Sequence, residues 1–194
     1  MKLLVTGFEP FGGESINPSW EAVRLLPERM DGWELMKIQL PTVFGLAAEK
    51  AIQAVEAWKP QAILCIGQAG GRKAVTPEMV AINLRYAAIP DNAGLLPKDE
   101  PIAFDGPAAY FSTMPVRRMA DFIAAAGYPG AVSYSAGAFV CNDLLYSLLH
   151  RFRHSSLQIG FIHVPYLPEQ GTPSLPLQDT ANALKAAIRA LAEA

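Results

Sequence analysis

The chain has 194 residues, 51% hydrophobic and 18% charged, with a formal net charge of −2. That length and apolar content suit one domain spanning 1–194 with a full core, and they exclude a disordered chain. The small net charge gives no electrostatic reason to expect nucleic acid or an anionic membrane as a partner, and no apolar run reaches transmembrane length.

Residues 3–8 read as a short buried strand that runs into a glycine-rich turn (Gly7, Gly12, Gly13). This turn comes too early for a secretory signal. Asn17-Pro18 has the form of a helix N-cap followed by proline at the first helical position, and the apolar stripe Trp20, Val23, Leu26 stops at Pro27. Residues 34–40 form a second strand, ended by Pro41. Apolar residues then recur at three and four over 43–58, which predicts an amphipathic helix. Residues 61–66 are a continuous apolar run, expected of a strand covered on both faces.

Residues 78–84 are extended and lead into a loop over about 86–110, rich in Pro, Asp and Gly and long enough to suggest a functional or interfacial role. A helix over 116–126, a strand over 131–135, a helix over 142–152 and a strand over 157–164 follow. A last, alanine-rich helix starts near Leu177 and closes the chain. This alternation predicts an α/β fold: a twisted, mostly parallel sheet with helices on both faces, a three-layer sandwich. Sites in such folds gather at the C-terminal ends of strands. Gly7 to Gly12, Gly67 to Arg72, Cys141 and His163 all fall at such ends.

Two cysteines are present. Cys65 lies inside an apolar strand pattern and reads as core. Both thiols are expected to be reduced, in a cytoplasmic protein. Cys141 stands at the start of a helical pattern, where unpaired backbone N–H groups and the helix dipole favour thiolate. A cysteine among Phe139, Val140 and Leu144 also suits plain packing. What sets it apart is His163, which ends the next apolar strand and is placed to act as its base; the pair suggests nucleophilic catalysis. A third group is needed to orient the imidazole; Glu78, which introduces an apolar strand, is the leading candidate, with Asp91 and Asp143 as competitors. His150 and His154 share a helical spacing, but they lie among arginines near a helix end without further ligand spacing, so they read as surface and no metal is expected. The loop Gly67-Gln68-Ala69-Gly70-Gly71-Arg72 follows a strand but lacks a nucleotide fingerprint. Phe8, Phe11 and Phe139 either cap the core or, if they converge on Cys141, line a small apolar pocket beside it.

Several of these motifs occur together, in order. They are Gly7-Phe8-Glu9-Pro10-Phe11-Gly12 with Asn17-Pro18-Ser19, the Gly67 to Arg72 loop, Glu78 with Val80-Ala81-Ile82-Asn83, and Ile89-Pro90-Asp91-Asn92. Gly106-Pro107-Ala108-Ala109-Tyr110-Phe111-Ser112-Thr113, Phe139-Val140-Cys141-Asn142 and His163-Val164-Pro165 complete the set. Nearly end to end, the chain resembles the type I pyroglutamyl peptidases, a family of cysteine peptidases. The resemblance implies a triad of Cys141 as nucleophile, His163 as base then acid, and Glu78 as orienting partner. It implies removal of an N-terminal pyroglutamyl residue from peptides without metal or cofactor, and a homotetramer. Phe8, Phe11, Ile89, Phe139 and Val140 would form the substrate slot, with Asn17 and Gln68 in its loops.

The chain departs from the family pattern at Ala88, commonly arginine, and at Ala138, commonly threonine or serine. Arg85 is the nearest arginine to the first of these. Two rival readings stay open from sequence: a phosphorylase-like glycosyl transfer served by the glycine loops, and a lactam or peptide binder without turnover.

Overall fold

The computed structural model describes residues 1–192. A six-stranded sheet forms the middle layer. In spatial order its strands are β2 (Arg29–Met30), β3 (Trp33–Leu40), β1 (Lys2–Phe8), β4 (Ala62–Gln68), β8 (Gln158–Val164) and β5 (Thr76–Pro77). The pairs among β3, β1, β4 and β8 are parallel, while the two short edge strands run antiparallel to their neighbours.

The period-2 alternation of strand side chains divides the apolar runs between two cores. Leu3 and Val5 of β1, Leu64 and Ile66 of β4 and Ile162 and Val164 of β8 point to one face. Helices α1 (Pro18–Arg24), α3 (Val116–Ala125) and α5 (Leu177–Ala192) cover that face with Val23, Ile123 and Leu184. Leu4, Ile63, Cys65, Ile159 and Phe161 point to the other, where α2 (Leu46–Trp58) and α4 (Val140–Arg151) supply Ala51, Val55, Leu144 and Leu148. His163 and Gly67 continue this second alternation and are register partners on β8 and β4. The face that α4 covers is therefore the face that carries the histidine.

Three boundaries differ from the sequence expectation. Residues 131–135 form no strand and make one isolated bridge, Glu78 to Ser133, just after the bridge Val75 to Gly130. The segment they run beside, β5, is two residues long and ends in Pro77, which has no N–H to extend a ladder. Residues 78–84 do not form one strand either. The chain leaves the main sheet after Pro77, and β6 (Val80–Ile82) pairs with β7 (Ala109–Phe111) in a separate two-stranded sheet. Helix α4 begins at Val140, two residues earlier than the apolar pattern indicates, which places Cys141 within its first turn. The expected end of the last helix beyond residue 192 lies outside the described residues.

The long loop after Tyr86 is fastened from within. Asp91 accepts from the backbone N–H groups of Phe44, Ala93 and Leu95. Asn83 accepts from those of Ile102 and Ala103. A buried carboxylate and a half-buried amide oxygen thus take the place of a backbone ladder.

Candidate active site

Cys141 is the second residue of α4, behind an extended N-cap residue, Phe139, whose side chain forms no cap. The N–H groups of Val140, Cys141 and Asn142 therefore have no partner within the helix. The Cys141 side chain lies over β4 at Gly67, where a Cβ would come within 2.8 Å of Sγ and 2.6 Å of Phe161 Cζ. Glycine at 67 is the condition for the thiol to approach the sheet at all.

His163 is 3% exposed, and its Nδ1 lies 2.7 Å from Glu78 Oε1. Glu78 is fully buried. It is held there by its position after β5, with its own N–H donating to Phe161 O on the adjacent β8 (2.8 Å). With Nδ1 engaged by a carboxylate, the tautomer is N–H at Nδ1, and Nε2 is left as the basic nitrogen.

Arg72 ties this corner together. Its Nη1 donates to Thr76 Oγ1 (2.5 Å) and Glu78 Oε1 (2.6 Å), and its Nη2 donates to Ser135 O (3.0 Å). One planar guanidinium thus joins β5, the buried carboxylate and the segment just before α4. Sequence reasoning recorded Arg72 only as the end of a glycine loop. The available signal was an arginine just past a strand end, six residues before a carboxylate entering an apolar run.

The electrostatics fix the resting protonation. Burial by itself raises the Glu78 carboxyl, but the hydrogen bond and charge of His163, with Ser133 and Arg72, outweigh it and hold the group below the usual carboxylate range. Burial, helped by the charge of Arg72, holds His163 below its ordinary value against the pull of Glu78. Burial also pushes the Cys141 thiol well up, with the Glu78 charge and Cys65 adding to it and Arg72 opposing. Burial thus acts against the preference for thiolate expected at the helix start. A helix N-terminus contributes about 0.3–1 kcal/mol, under one pKa unit, whereas desolvation moves buried groups by up to about 3–5 units. The thiol and imidazole rest as a neutral pair. Cys65, beneath them in the core, is pushed up to about 12 by burial.

Both Cys141 and His163 line a cavity of about 280 Å³ at the C-terminal end of the sheet. Phe8, Phe11, Asn17, Gln68 and Phe139 line it as well, as do Arg72, Thr42 and Ser135 to Gly137. Phe139 is packed between Phe11 (ring centroids 5.9 Å apart) and Phe44 (5.2 Å, edge-on). Asn17 lies on the wall, but its Oδ1 accepts from Ser19 N and Ser19 Oγ and its Nδ2 donates to Glu9 O. It shapes the first loop and caps α1. The first loop is tied in turn to the long loop, since Asn92 Nδ2 donates to Glu9 Oε1 and Pro10 O.

Two residues expected in the slot lie elsewhere. Val140 is fully buried in the core beneath α4, because helical geometry turns it away from the cavity that its neighbour Cys141 lines. Ile89 is 47% exposed and stands off the cavity wall, within reach of Gly12 on the first loop.

Of the rivals to Glu78, Asp91 is taken up by the long loop, as described above. Asp143 accepts from Arg85 Nε (2.6 Å) and Gly45 N (2.8 Å). That ion pair also answers the question of Arg85: it is anchored at α4 and lines a separate hollow with Leu95, Leu96 and Glu100. It does not reach the Cys141 cavity to replace the arginine missing at Ala88. His150 pairs with Tyr110 (2.9 Å), and His154 is exposed. Among the described residues no group of three or more His, Cys, Asp or Glu is placed to hold a metal.

A thiol at a helix start, a neutral imidazole oriented by a buried carboxylate, and an aromatic cavity beside them are the working parts of a cysteine hydrolase on a three-layer α/β frame. Known proteins narrow the class. The family model for pyroglutamyl peptidase matches residues 1–194. Pyrrolidone-carboxylate peptidases from Levilactobacillus brevis and Enterococcus faecalis are 51% and 52% identical, over 98% and 88% of this chain and 97% and 81% of theirs. The crystal structure of pyroglutamyl peptidase I from Bacillus amyloliquefaciens is 46% identical and superposes with a TM-score of 0.96 over 100% of this chain and 97% of its own. An A199P mutant pyrrolidone carboxyl peptidase from Pyrococcus furiosus gives 0.94 at 38% identity, over 100% and 99%. The chain belongs to the pyroglutamyl peptidase family.

Proposed function

We propose that this protein removes N-terminal pyroglutamyl residues from peptides, with Cys141, His163 and Glu78 as its catalytic triad. The observation that carries the roles is the 2.7 Å contact between His163 Nδ1 and the buried Glu78 carboxylate, beside a cavity that also holds Cys141. Because thiol and imidazole rest neutral, the proton moves as attack occurs: His163 Nε2 takes the Sγ proton while Sγ bonds to the acyl carbon. The imidazolium so formed is stabilised by Glu78. It then protonates the departing peptide amine, leaving a thioester on Cys141. His163, neutral again, takes a proton from water, and the hydroxide frees pyroglutamate and restores the thiol. The unpaired N–H groups of the first turn of α4 supply donors for the oxyanion, each worth about 3–4 kcal/mol where such donors have been removed from other enzymes.

A pyroglutamyl group carries no charged amine, only a small lactam ring. The aromatic wall of Phe8, Phe11 and Phe139 offers it an apolar slot, and Gln68 offers a polar partner. An aminopeptidase would place a carboxylate where the free amine docks. Here no carboxylate is among the described residues that line the cavity, and Glu78 behind it is already bonded to His163 and Arg72. The arginine of the Gly67–Arg72 loop is likewise engaged, donating to Glu78 and to Ser135 O.

The reading extends to a single domain over 1–194, a cytoplasmic setting and a homotetramer. The cytoplasmic setting draws on the two free cysteines. The tetramer draws on the apolar side chains of the long loop, Tyr86, Leu95, Leu96 and Phe104, which stand 43–96% exposed. Hydrolysis of a fluorogenic pyroglutamyl amide beside the matching prolyl amide tests the function. Cleavage of the first alone, lost on thiol alkylation and in Cys141→Ala, is the expected result. Pyroglutamate binding without turnover by folded, reduced enzyme would overturn it in favour of a binder.

A further inference from the structure

Gln68 stands at the end of β4 on the cavity wall. Its carboxamide presents either two donors or an acceptor to a ligand, depending on which way it is turned. Gln170, 102 residues later in the turn after β8, decides this. Gln170 Oε1 accepts from Leu167 N (3.1 Å), a backbone donor that cannot exchange roles. Gln170 Nε2 donates to Ile16 O (3.4 Å) and to a Glu14 carboxylate oxygen (3.4 Å), both obligate acceptors. Three groups of fixed polarity therefore orient the Gln170 amide. The same Nε2 also lies 3.1 Å from Gln68 and meets its Oε1. The Gln68 carbonyl is thus held toward Gln170, and among the described residues nothing accepts from Gln68 Nε2.

We infer that Gln170 is a specificity-determining positioning residue, which locks the Gln68 amide so that its N–H donors serve the ring carbonyl of the ligand. The inference rests on the pyroglutamyl reading above. The lactam carbonyl is the group that separates a pyroglutamyl ring from a prolyl ring, and it is an acceptor. A site that offers it a fixed donor binds the lactam. The same site leaves that donor unpaired against proline, a mismatch costly enough to discriminate strongly. Gln170 touches no substrate in this scheme; it acts through Gln68. It also joins the turn after β8 to the first loop, so the lactam-reading amide and the loop that carries Phe11 share one anchor.

The test compares Gln170→Glu with Gln170→Leu. A carboxylate at 170 still accepts from Leu167 N but has no hydrogen to give, so Gln68 must turn its NH2 toward residue 170 and its carbonyl toward the cavity. Leucine removes the anchor and leaves Gln68 free to choose the productive orientation. Gln170→Glu is expected to raise KM for the pyroglutamyl amide about tenfold or more, the value of one hydrogen bond, with a smaller change in kcat. Gln170→Leu should raise KM only about two- to threefold. Cys141 alkylation by iodoacetamide should proceed at the wild-type rate in both. If repulsion from Glu14 keeps Gln170→Glu from folding, the double variant with Glu14→Gln makes the same comparison. A Gln170→Glu KM within twofold of wild type, or an equal rise in Gln170→Leu, overturns the inference alone. Wild-type enzyme that cleaves no pyroglutamyl amide overturns the function reading, and this one with it.

Discussion

Glu78 and His163 meet at 2.7 Å with both side chains out of solvent, although 85 residues separate them in the chain. The contact exists because β5 folds back antiparallel along β8, with Thr76 opposite His163 and Pro77 opposite Ile162. The carboxylate that follows is delivered beside the imidazole.

Glu78→Gln keeps the shape of that contact and removes its charge. The amide is expected to support the wrong imidazole tautomer and to leave the imidazolium unstabilised. We expect kcat to fall by about 10⁴-fold, the scale known for the equivalent change in serine hydrolases. Steady-state kinetics on a pyroglutamyl amide, with a thermal melt to confirm folding, checks this; a loss under tenfold would remove Glu78 from the triad.

The neutral resting pair predicts how Cys141 reacts. Its thiol lies above the ordinary value of 9.0 and His163 below 6.5. Alkylation by iodoacetamide should therefore climb steadily with pH through 7–9. A rate already on a plateau between pH 5 and 7 would reveal a preformed thiolate–imidazolium pair and contradict the assignment.

The same shifts set the pH range of stability. Glu78 and His163 are both lowered in the fold, so each contributes stability that is present above its unfolded value and lost as pH falls through the folded one. Cys141 is raised, so its contribution is present below 9.0 and lost as pH rises further. The melting temperature should be highest between about 6.5 and 9.0, declining first on the acid side through His163 and then, below 4.5, through Glu78. In Cys141→Ala the alkaline decline should shrink and the acid one persist, as melts across that range would report.

Arg72 acts on the site through its charge as well as its hydrogen bonds, since that charge favours lower values for both His163 and Cys141. Arg72→Gln should move the acid limb of kcat/KM to higher pH and reduce its maximum by about tenfold or more, as expected for loss of a buried charge-assisted contact. Arg72→Lys retains the charge but lacks the fork that spans Glu78 and Ser135. It should keep the wild-type pH profile at a reduced rate. Equal profiles in the Gln and Lys variants would show the effect to be packing alone.

Gly67→Ala places a methyl group 2.8 Å from Cys141 Sγ. Overpacking of this kind costs about 1–3 kcal/mol of stability. A displacement of the nucleophile by an ångström costs about a hundredfold in rate. Activity should thus drop far more than the melting temperature. Wild-type turnover in this variant would mean that the thiol does not work from where it rests.

How much of this was legible in the sequence follows from the range of each interaction. The near-continuous apolar character of β1, β4 and β8 is a local signal, because a strand packed on both faces is apolar at nearly every position. It announced the layered sheet. The helix-start cysteine, the strand-end histidine and the aromatics of the first loop were likewise visible, since each sits where its own short segment turns. Residues 131–135 misled, because their strand-like composition carries no information about a partner strand that ends in proline. Val140 misled because adjacency to Cys141 in sequence means some 100° of rotation on a helix.

The sequence by itself therefore determined the main strands and helices, their order and the residue types of the site, while the short strands β2, β5 and β7 emerged only in the fold. The resemblance had already singled out Glu78; tertiary structure shows why it, rather than Asp91 or Asp143, faces the histidine. The two aspartates are bound by Phe44 and Arg85 from elements far away in the chain. Tertiary structure alone also brought Arg72 onto the carboxylate and Gln170 onto Gln68, and set the thiol neutral. Hydrogen-bond partners and desolvation depend on which segments pack together, and no local pattern encodes that.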